Sequence, residues 1–292
     1  MYHHEQIPES WFRPMPAVDF DSLCGMADLK RTLRAEIDSA TDPRWQQIVS
    51  SLPSPAYLFY GPPGTGKSRT AAALARGFME KGYRLLAVDA ADILSCYVGE
   101  AEKRVEQLFR AAADSAPCVL QVTDVDAVCL TREVPNASRH RISLTNTFLA
   151  SFRELWHSNR NVVFIMETNA PWNVDPLLVD WTRTVRFSFP DDDTRAEYFR
   201  RTLSPVQLNG ELQPGDLVEA TAGASFRYMK RLVDSIRIQM AASLDPADLE
   251  ELESGRICPT RAMLEQALRD HPPQDHSDHI RKLDAFENRF QY

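Results

Sequence analysis

Short runs of apolar residues punctuate the first two thirds of the chain, at Tyr57–Tyr60, Leu85–Val88, Val119–Thr123, Val162–Met166 and Val185–Phe189. Each reads as a buried strand. Between them lie segments with helical periodicity, Ser68–Met79, Glu100–Ala113 and Ser143–His157. Strand and helix in alternation predict crossover connections and a parallel sheet. After Pro190 the strand pattern stops, and Thr194–Leu203, Phe226–Ala242 and Arg261–Asp270 predict helices. The acidic run Asp191–Asp193 suits a helix start, where carboxylates meet the positive end of the dipole. The pattern therefore divides the chain into a polar arm over 1–17, an α/β domain over 18–190 and a smaller helical domain over 191–292. Trp11 and Phe12 are large apolar groups in the arm; they either pack back on the body or dock on a neighbour.

Composition narrows the class. The chain has 292 residues, 43% hydrophobic and 25% charged, enough to bury a core in a soluble globular protein. Its net charge of −8 repels phosphate backbones and disfavours nucleic acid as a partner. The five cysteines are scattered without a CxxC pair, which argues against a disulfide framework or a zinc site and for a reducing compartment. The first residues lack the apolar core of a signal peptide, and no apolar run approaches the ~20 residues that span a bilayer. A soluble, cytoplasmic protein with no membrane partner is expected. His271, His276 and His279 fall in a proline-bearing stretch that reads as a solvated tail, and Arg139–Arg141 as a basic loop, solvated or facing a subunit.

The chemistry concentrates at Gly61-Pro62-Pro63-Gly64-Thr65-Gly66-Lys67-Ser68, followed by Arg69. This fits G-x-x-x-x-G-K-[ST] completely, with a strand before it and an alanine-rich helix after it. Gly64 and Gly66 let backbone N–H groups turn inward around phosphates. The helix start adds a favourable dipole. Lys67 brings a positive charge to the β- and γ-phosphates, and Ser68 offers its hydroxyl to Mg²⁺. ATP and Mg²⁺ are the expected ligands.

From about Val18 onward the chain resembles the AAA ATPases of the classical clade, the group that includes katanin, spastin and FtsH. In VDFDSLCGMADLKRTLRAEI, Cys24 and Gly25 match positions whose backbone approaches adenine in that clade. DILSCYVGEAEK is similar to the stretch that holds the central-pore loop, with Tyr97-Val98-Gly99 standing where the family has aromatic, aliphatic and glycine. VVFIMETN looks like the strand that ends in the sensor asparagine, here Asn169. Gly223-Ala224-Ser225-Phe226-Arg227 resembles the second sensor, with Arg227 reaching towards nucleotide. HIRKLDAFENRFQY looks like the clade's last helix. The resemblance implies a P-loop NTPase fold, a parallel sheet sandwiched by helices, followed by a smaller all-helical lid domain with the C-terminal helix. It also implies a ring, most naturally a hexamer of one chain or a mixed ring, acting on a polypeptide or adaptor.

Two departures bear on catalysis. The family's second nucleotide motif ends an apolar strand in Asp-Glu, the Asp organising Mg²⁺ and the Glu activating water. Here the stretch is APCVLQVTDVDAVCLTRE. An ungapped register puts Thr123 at the Asp position and Asp124 at the Glu position. Thr123 carries no charge, and Asp124 is one methylene, about 1.5 Å, shorter. Sliding by one makes Asp124 the metal residue and puts Val125 at the base position, which removes the base. Either register predicts weakened hydrolysis, since a misplacement of about 1 Å costs on the order of 100-fold. In DPLLVDWTRTVRF, Asp180 and Trp181 stand where the family carries finger arginines; Arg183 is the nearest candidate and Arg186 the next.

Three functions follow as expectations. An ATP-driven motor would move Tyr97 loops along a polypeptide. A nucleotide-gated structural or regulatory subunit would bind ATP and hydrolyse it slowly or not at all. A DNA-loading protein is disfavoured by the acidic charge. Client recruitment would use the arm, a pore loop or a separate adaptor.

Overall fold

The structure is a computed structural model that describes residues 8–42, 44, 55–94, 99–132, 138–158, 161–203, 211–243 and 258–290. A five-stranded sheet forms its centre: β1 (Ala56–Tyr60), β2 (Arg84–Asp89), β3 (Cys118–Thr123), β4 (Val162–Thr168) and β5 (Arg183–Arg186). The order across the sheet is β2-β3-β4-β1-β5, and every pairing is parallel. β1 and β4 are buried along their whole length, as expected of parallel strands covered on both faces.

One face of the sheet packs against α1 (Ala27–Thr41) and α2 (Lys67–Met79) through Leu33, Ile37, Leu74 and Phe78. The two helices approach so closely at Gly77 that a Cβ there would lie 2.4 Å from Ile37 Cδ1. The short α3 (Ala90–Ile93) follows β2. The opposite face packs against α4 (Glu100–Asp114) and α5 (Arg139–Ser158) through Val105, Leu108, Phe148 and Phe152. α6 (Pro176–Trp181) leads into β5.

From Asp192 the described elements are all helical: α7 (Asp192–Thr202), α8 (Pro214–Ala220), α9 (Phe226–Ala242), α10 (Arg261–Asp270) and α11 (Ser277–Phe290). Asp191, Ser225 and Thr260 each accept a backbone N–H from the first turn of the helix they precede, which places three of these starts. Residues of α7 to α10 form a cluster of their own around Phe199, Leu232 and Ile236. α11 instead returns to the sheet, and its Leu283 and Phe286 join the core beside β1.

Several elements differ from the sequence pattern. The last strand runs over Arg183–Arg186, not Val185–Phe189. As an edge strand it pairs only with β1 and keeps polar side chains exposed, so apolar content marks it poorly. Phe187, read as strand, is buried just beyond it, its N–H donating to Tyr60 O at 2.7 Å. Arg139–Arg141 is the first turn of α5 and not a loop, with His140 Nδ1 3.2 Å from Glu102 Oε1. The histidines do not form a solvated tail. His276 lies against Phe189 and His279 against Trp172, with ring centroids 4.9 and 5.1 Å apart.

Trp11 is buried in the sheet's core. Phe12 bridges to Leu86, and the Arg13 N–H donates to Leu85 O at 3.0 Å, so this segment covers the outer edge of β2. Among the described residues no helix is long and apolar enough to cross a membrane.

Candidate functional site

Because the strands are parallel, the carboxyl ends of β3, β4 and β1 lie side by side at one rim of the sheet. Open α/β sheets bind their ligands in the crevice outside such a rim. The loop Gly61–Gly66 leaves β1 there and turns into α2. Gly64 and Gly66 have φ of +80° and +104°, which aim the backbone inward and which only glycine adopts without strain. At Gly64 the constraint is also steric, since a Cβ would stand 2.7 Å from Arg227 Cβ and 2.9 Å from Ser225 Oγ. Pro62 takes a hydrogen bond from Thr65 Oγ1 at 2.8 Å, which closes the loop on itself. Pro63 lines a neighbouring cavity together with Ser225, Arg227 and His276.

The loop opens on a cleft of about 490 Å³ lined by Gly64, Lys67, Ser68, Asp124, Asn169 and Arg227 among others. The buried Lys67 ammonium donates to Gly61 O (2.8 Å), Pro62 O (2.9 Å) and Asn169 Oδ1 (2.7 Å). Burial pushes its pKa down to about 8; the Arg227 charge adds to that, while Glu167 and Asp124 work against it. Asn169 Nδ2 donates to Asp124 Oδ1 at 3.3 Å. Asp124 has a left-handed backbone, φ +51°, and burial beside Asp126 and Asp89 raises its carboxyl above the usual range. Arg227 stands in the first turn of α9, its N–H 3.4 Å from Gly64 O. Lys230, one turn on, lines the same cleft.

A smaller recess of about 160 Å³ adjoins this cleft and shares Gly66, Arg69, Tyr198 and Phe226 with it. Cys24 lines the recess; burial raises its thiol. Gly25 follows with φ +63° and its N–H committed to Glu197 Oε2 at 2.8 Å.

Some expected residues make other contacts. Thr123 lines the cleft, but its hydroxyl donates to Asp89 Oδ2 at 2.9 Å, towards the β2 edge, and not to Ser68. Arg183 lies on β5 paired with Glu36 of α1, away from the cleft. Arg186 pairs with Asp284, 3.0 Å away, and with Glu287, both on α11. Tyr97 and Val98 lie outside the described residues, while Gly99 precedes α4 with φ +83°.

The partner of Ser68 is a residue that the sequence pattern did not single out. Ser68 Oγ donates to Glu167 Oε2 at 2.6 Å, and Gln121 Nε2 donates to Glu167 Oε1 at 2.9 Å. Glu167 is buried near the end of β4, and burial raises its carboxyl against these two hydrogen bonds and the Lys67 charge. The available signal was a carboxylate within the otherwise apolar VVFIMET, because a buried acid requires partners. The oxygen donors of Ser68, Glu167 and Asp124 suit a hard cation such as Mg²⁺. Among the described residues no three His, Cys, Asp or Glu side chains form a cage of their own, so an ion here would be shared with ligand oxygens and water.

Comparison with known proteins places the fold and the loop in one family. Residues 57–190 match the model of the ATPase family associated with various cellular activities (AAA). The chain is 29% identical over 245 residues to Cell division protein C of Sulfolobus acidocaldarius, covering 81% of this chain and 63% of that one. It is 28% identical over 231 residues to the ATP-dependent zinc metalloprotease FtsH of Hahella chejuensis, covering 77% of this chain and 37% of that one. It thus spans less than two thirds of either relative. The crystal structure of the FIGL-1 AAA domain superposes with a TM-score of 0.75 at 19% identity, over 98% of this chain and 94% of that one. A second crystal structure of that domain, in complex with ADP, gives 0.74 at 18% identity, over 97% of this chain and 94% of that one.

Proposed function

The chain belongs to the classical clade of the AAA ATPase family, and from that premise we propose that it binds ATP with Mg²⁺ at the subunit boundaries of a ring that remodels a polypeptide and hydrolyses slowly. The observation that carries the reading is the Lys67 ammonium, buried at the mouth of the glycine loop and bonded to Asn169, with Arg227 on the facing helix. On binding, Lys67 exchanges the Gly61 and Pro62 carbonyls for phosphate oxygens, and the bond in which donor and acceptor are both charged is the stronger. Backbone N–H groups of the loop and the start of α2 face the same phosphates. The recess beside Cys24, Tyr198 and Phe226 supplies a partly apolar slot for the adenine.

Asn169 orients the attacking water and Asp124 receives its proton. Arg227 and Lys230 offset charge on the γ-phosphate from the helical side. Mg²⁺, held in part by Ser68, would neutralise charge on the β- and γ-phosphates. The Tyr97 loop would grip an extended polypeptide, either a client or an adaptor. The ring would be a homohexamer or a mixed ring, in the cytoplasm.

A second reading has its own support. Thr123 is uncharged and turned to Asp89, and both finger candidates, Arg183 and Arg186, are paired inside the chain. These features suit a nucleotide-gated structural or regulatory subunit with little turnover. Sedimentation of micromolar protein, with and without a slowly hydrolysed ATP analogue, tests the ring common to both readings. A monomer under both conditions sinks it. Steady-state ATP turnover of the assembled species then separates motor from scaffold.

A further inference from the structure

We propose that Glu167 is the carboxylate that orders the metal ion of the nucleotide site, the task having moved one strand across the sheet from Thr123. The inference rests on the ATP-site reading given above.

The sheet register supports the relocation. Phe59 pairs with Glu167 between β1 and β4, and Val122 pairs with Met166 between β3 and β4. Thr123 and Glu167 therefore stand at one level of adjacent strands, and aligned residues of parallel strands project to the same face. β4 lies between β3 and β1, so Glu167 is one strand nearer the phosphate loop than Thr123. A longer acid on the nearer strand reaches the Ser68 hydroxyl, 2.6 Å away. Thr123 on the farther strand bonds instead to Asp89 on β2.

The surroundings of Glu167 are built to hold it. Its second oxygen takes the amide of Gln121, a polar residue inside β3 that is itself 9% exposed. Two polar side chains in neighbouring buried strands would each be costly alone. Together they fix the carboxylate with one oxygen on the residue that the loop motif assigns to the metal. Mg²⁺ keeps several waters and binds through few protein oxygens plus phosphate. A single oriented carboxylate beside Ser68 suffices to hold that water shell. A purely structural Glu167 would serve the strands equally well as an uncharged glutamine; a metal-ordering one would not.

The test is ATP binding, measured by calorimetry in excess Mg²⁺ and in EDTA, for the wild-type chain, Glu167→Gln and Glu167→Ala/Thr123→Asp. Wild-type protein should bind in EDTA and more tightly in Mg²⁺. Glu167→Gln should bind at least as tightly as wild type in EDTA, because a carboxylate beside the phosphates is gone, and lose at least about tenfold of the Mg²⁺-dependent gain. The double variant, which moves the acid back to β3, should recover part of that gain. Manganese paramagnetic resonance of the ATP complex should show the same order of ion affinities. A glutamine variant with the full Mg²⁺ gain overturns the proposal and leaves the nucleotide site standing. Wild-type protein that binds no ATP in either buffer overturns both. Should Glu167→Gln not fold, ferrous ion in place of Mg²⁺ on the wild-type ATP complex, with ascorbate and peroxide, reports the ion's neighbours by backbone cleavage. Cleavage at 166–168 supports the assignment; cleavage confined to 66–68 and 122–125 overturns it.

Discussion

The Lys67 ammonium donates to Asn169 Oδ1 at 2.7 Å, so the loop after β1 is tied to the residue that follows β4. One bond thus links the group expected to hold phosphate to the group expected to orient water. On the proposed reading, a ligand that draws Lys67 towards it would also free the Asn169 amide oxygen and so couple binding to the placement of the reacting water.

Removing the ammonium should remove binding. Lys67→Ala is expected to abolish the several-degree rise in melting temperature that saturating ATP gives the wild-type chain, since a ligand binding only the folded state stabilises it by mass action. An unchanged ATP-induced shift in a folded variant would refute the loop's role.

Affinity should also depend on pH in a chelator, where no metal contributes. In the free protein Lys67 titrates near 8, with Glu167, Asp124 and Arg227 around it. A bound polyphosphate favours the ammonium and raises that value. ATP affinity should therefore be full below about pH 8 and fall as pH rises above it. Calorimetry from pH 6.5 to 9.5 checks this, and a flat profile would contradict the assigned titration.

Gly64→Ala should separate the loop from α9. The new Cβ would meet Arg227 Cβ at 2.7 Å in a backbone with φ +80°. Left-handed strain of about 1–2 kcal/mol adds to the clash. We expect at least about tenfold weaker nucleotide binding with the sheet intact by circular dichroism. Wild-type affinity would mean that the loop relaxes at no cost.

Asp124→Glu should raise turnover by about tenfold, ~1.4 kcal/mol of barrier, by extending the carboxylate towards the water. Its φ of +51° suits Asp better than Glu, so a small loss of melting temperature should accompany the gain. A rate equal to or below the wild-type rate would show that the shorter acid already reaches.

Arg186→Ala should loosen α11. Arg186 pairs with Asp284 and Glu287, and Tyr60 OH also donates to Glu287 at 2.7 Å. Tyr60 keeps its bond in the variant, so the loss is partial, about 1 kcal/mol, or a few degrees in melting temperature. The more exposed Arg183 should matter less in the isolated chain. Equal losses for both would contradict this ranking.

What the sequence by itself determined is what depends on neighbouring residues. The phosphate loop and the helix after it were legible because G-x-x-x-x-G-K-[ST] encodes positive φ, inward N–H groups and a helix start within eight residues. The covered strands were legible because burial on both faces leaves nearly continuous apolar runs. The helices Phe226–Ala242 and Arg261–Asp270 were legible to their ends, where Ser225 and Thr260 cap them. The edge strand was misplaced because an exposed edge needs no apolar run. Which acid meets Ser68 was decided only by the tertiary structure. β4 inserts between β3 and β1, and that order brings together residues 99 positions apart. The local pattern around Thr123 contains nothing about the strand beside it, where Glu167 places a carboxylate against Ser68. The return of α11 to the sheet through Arg186 and Glu287 has the same origin, because pairings across about a hundred residues are set by how the layers close.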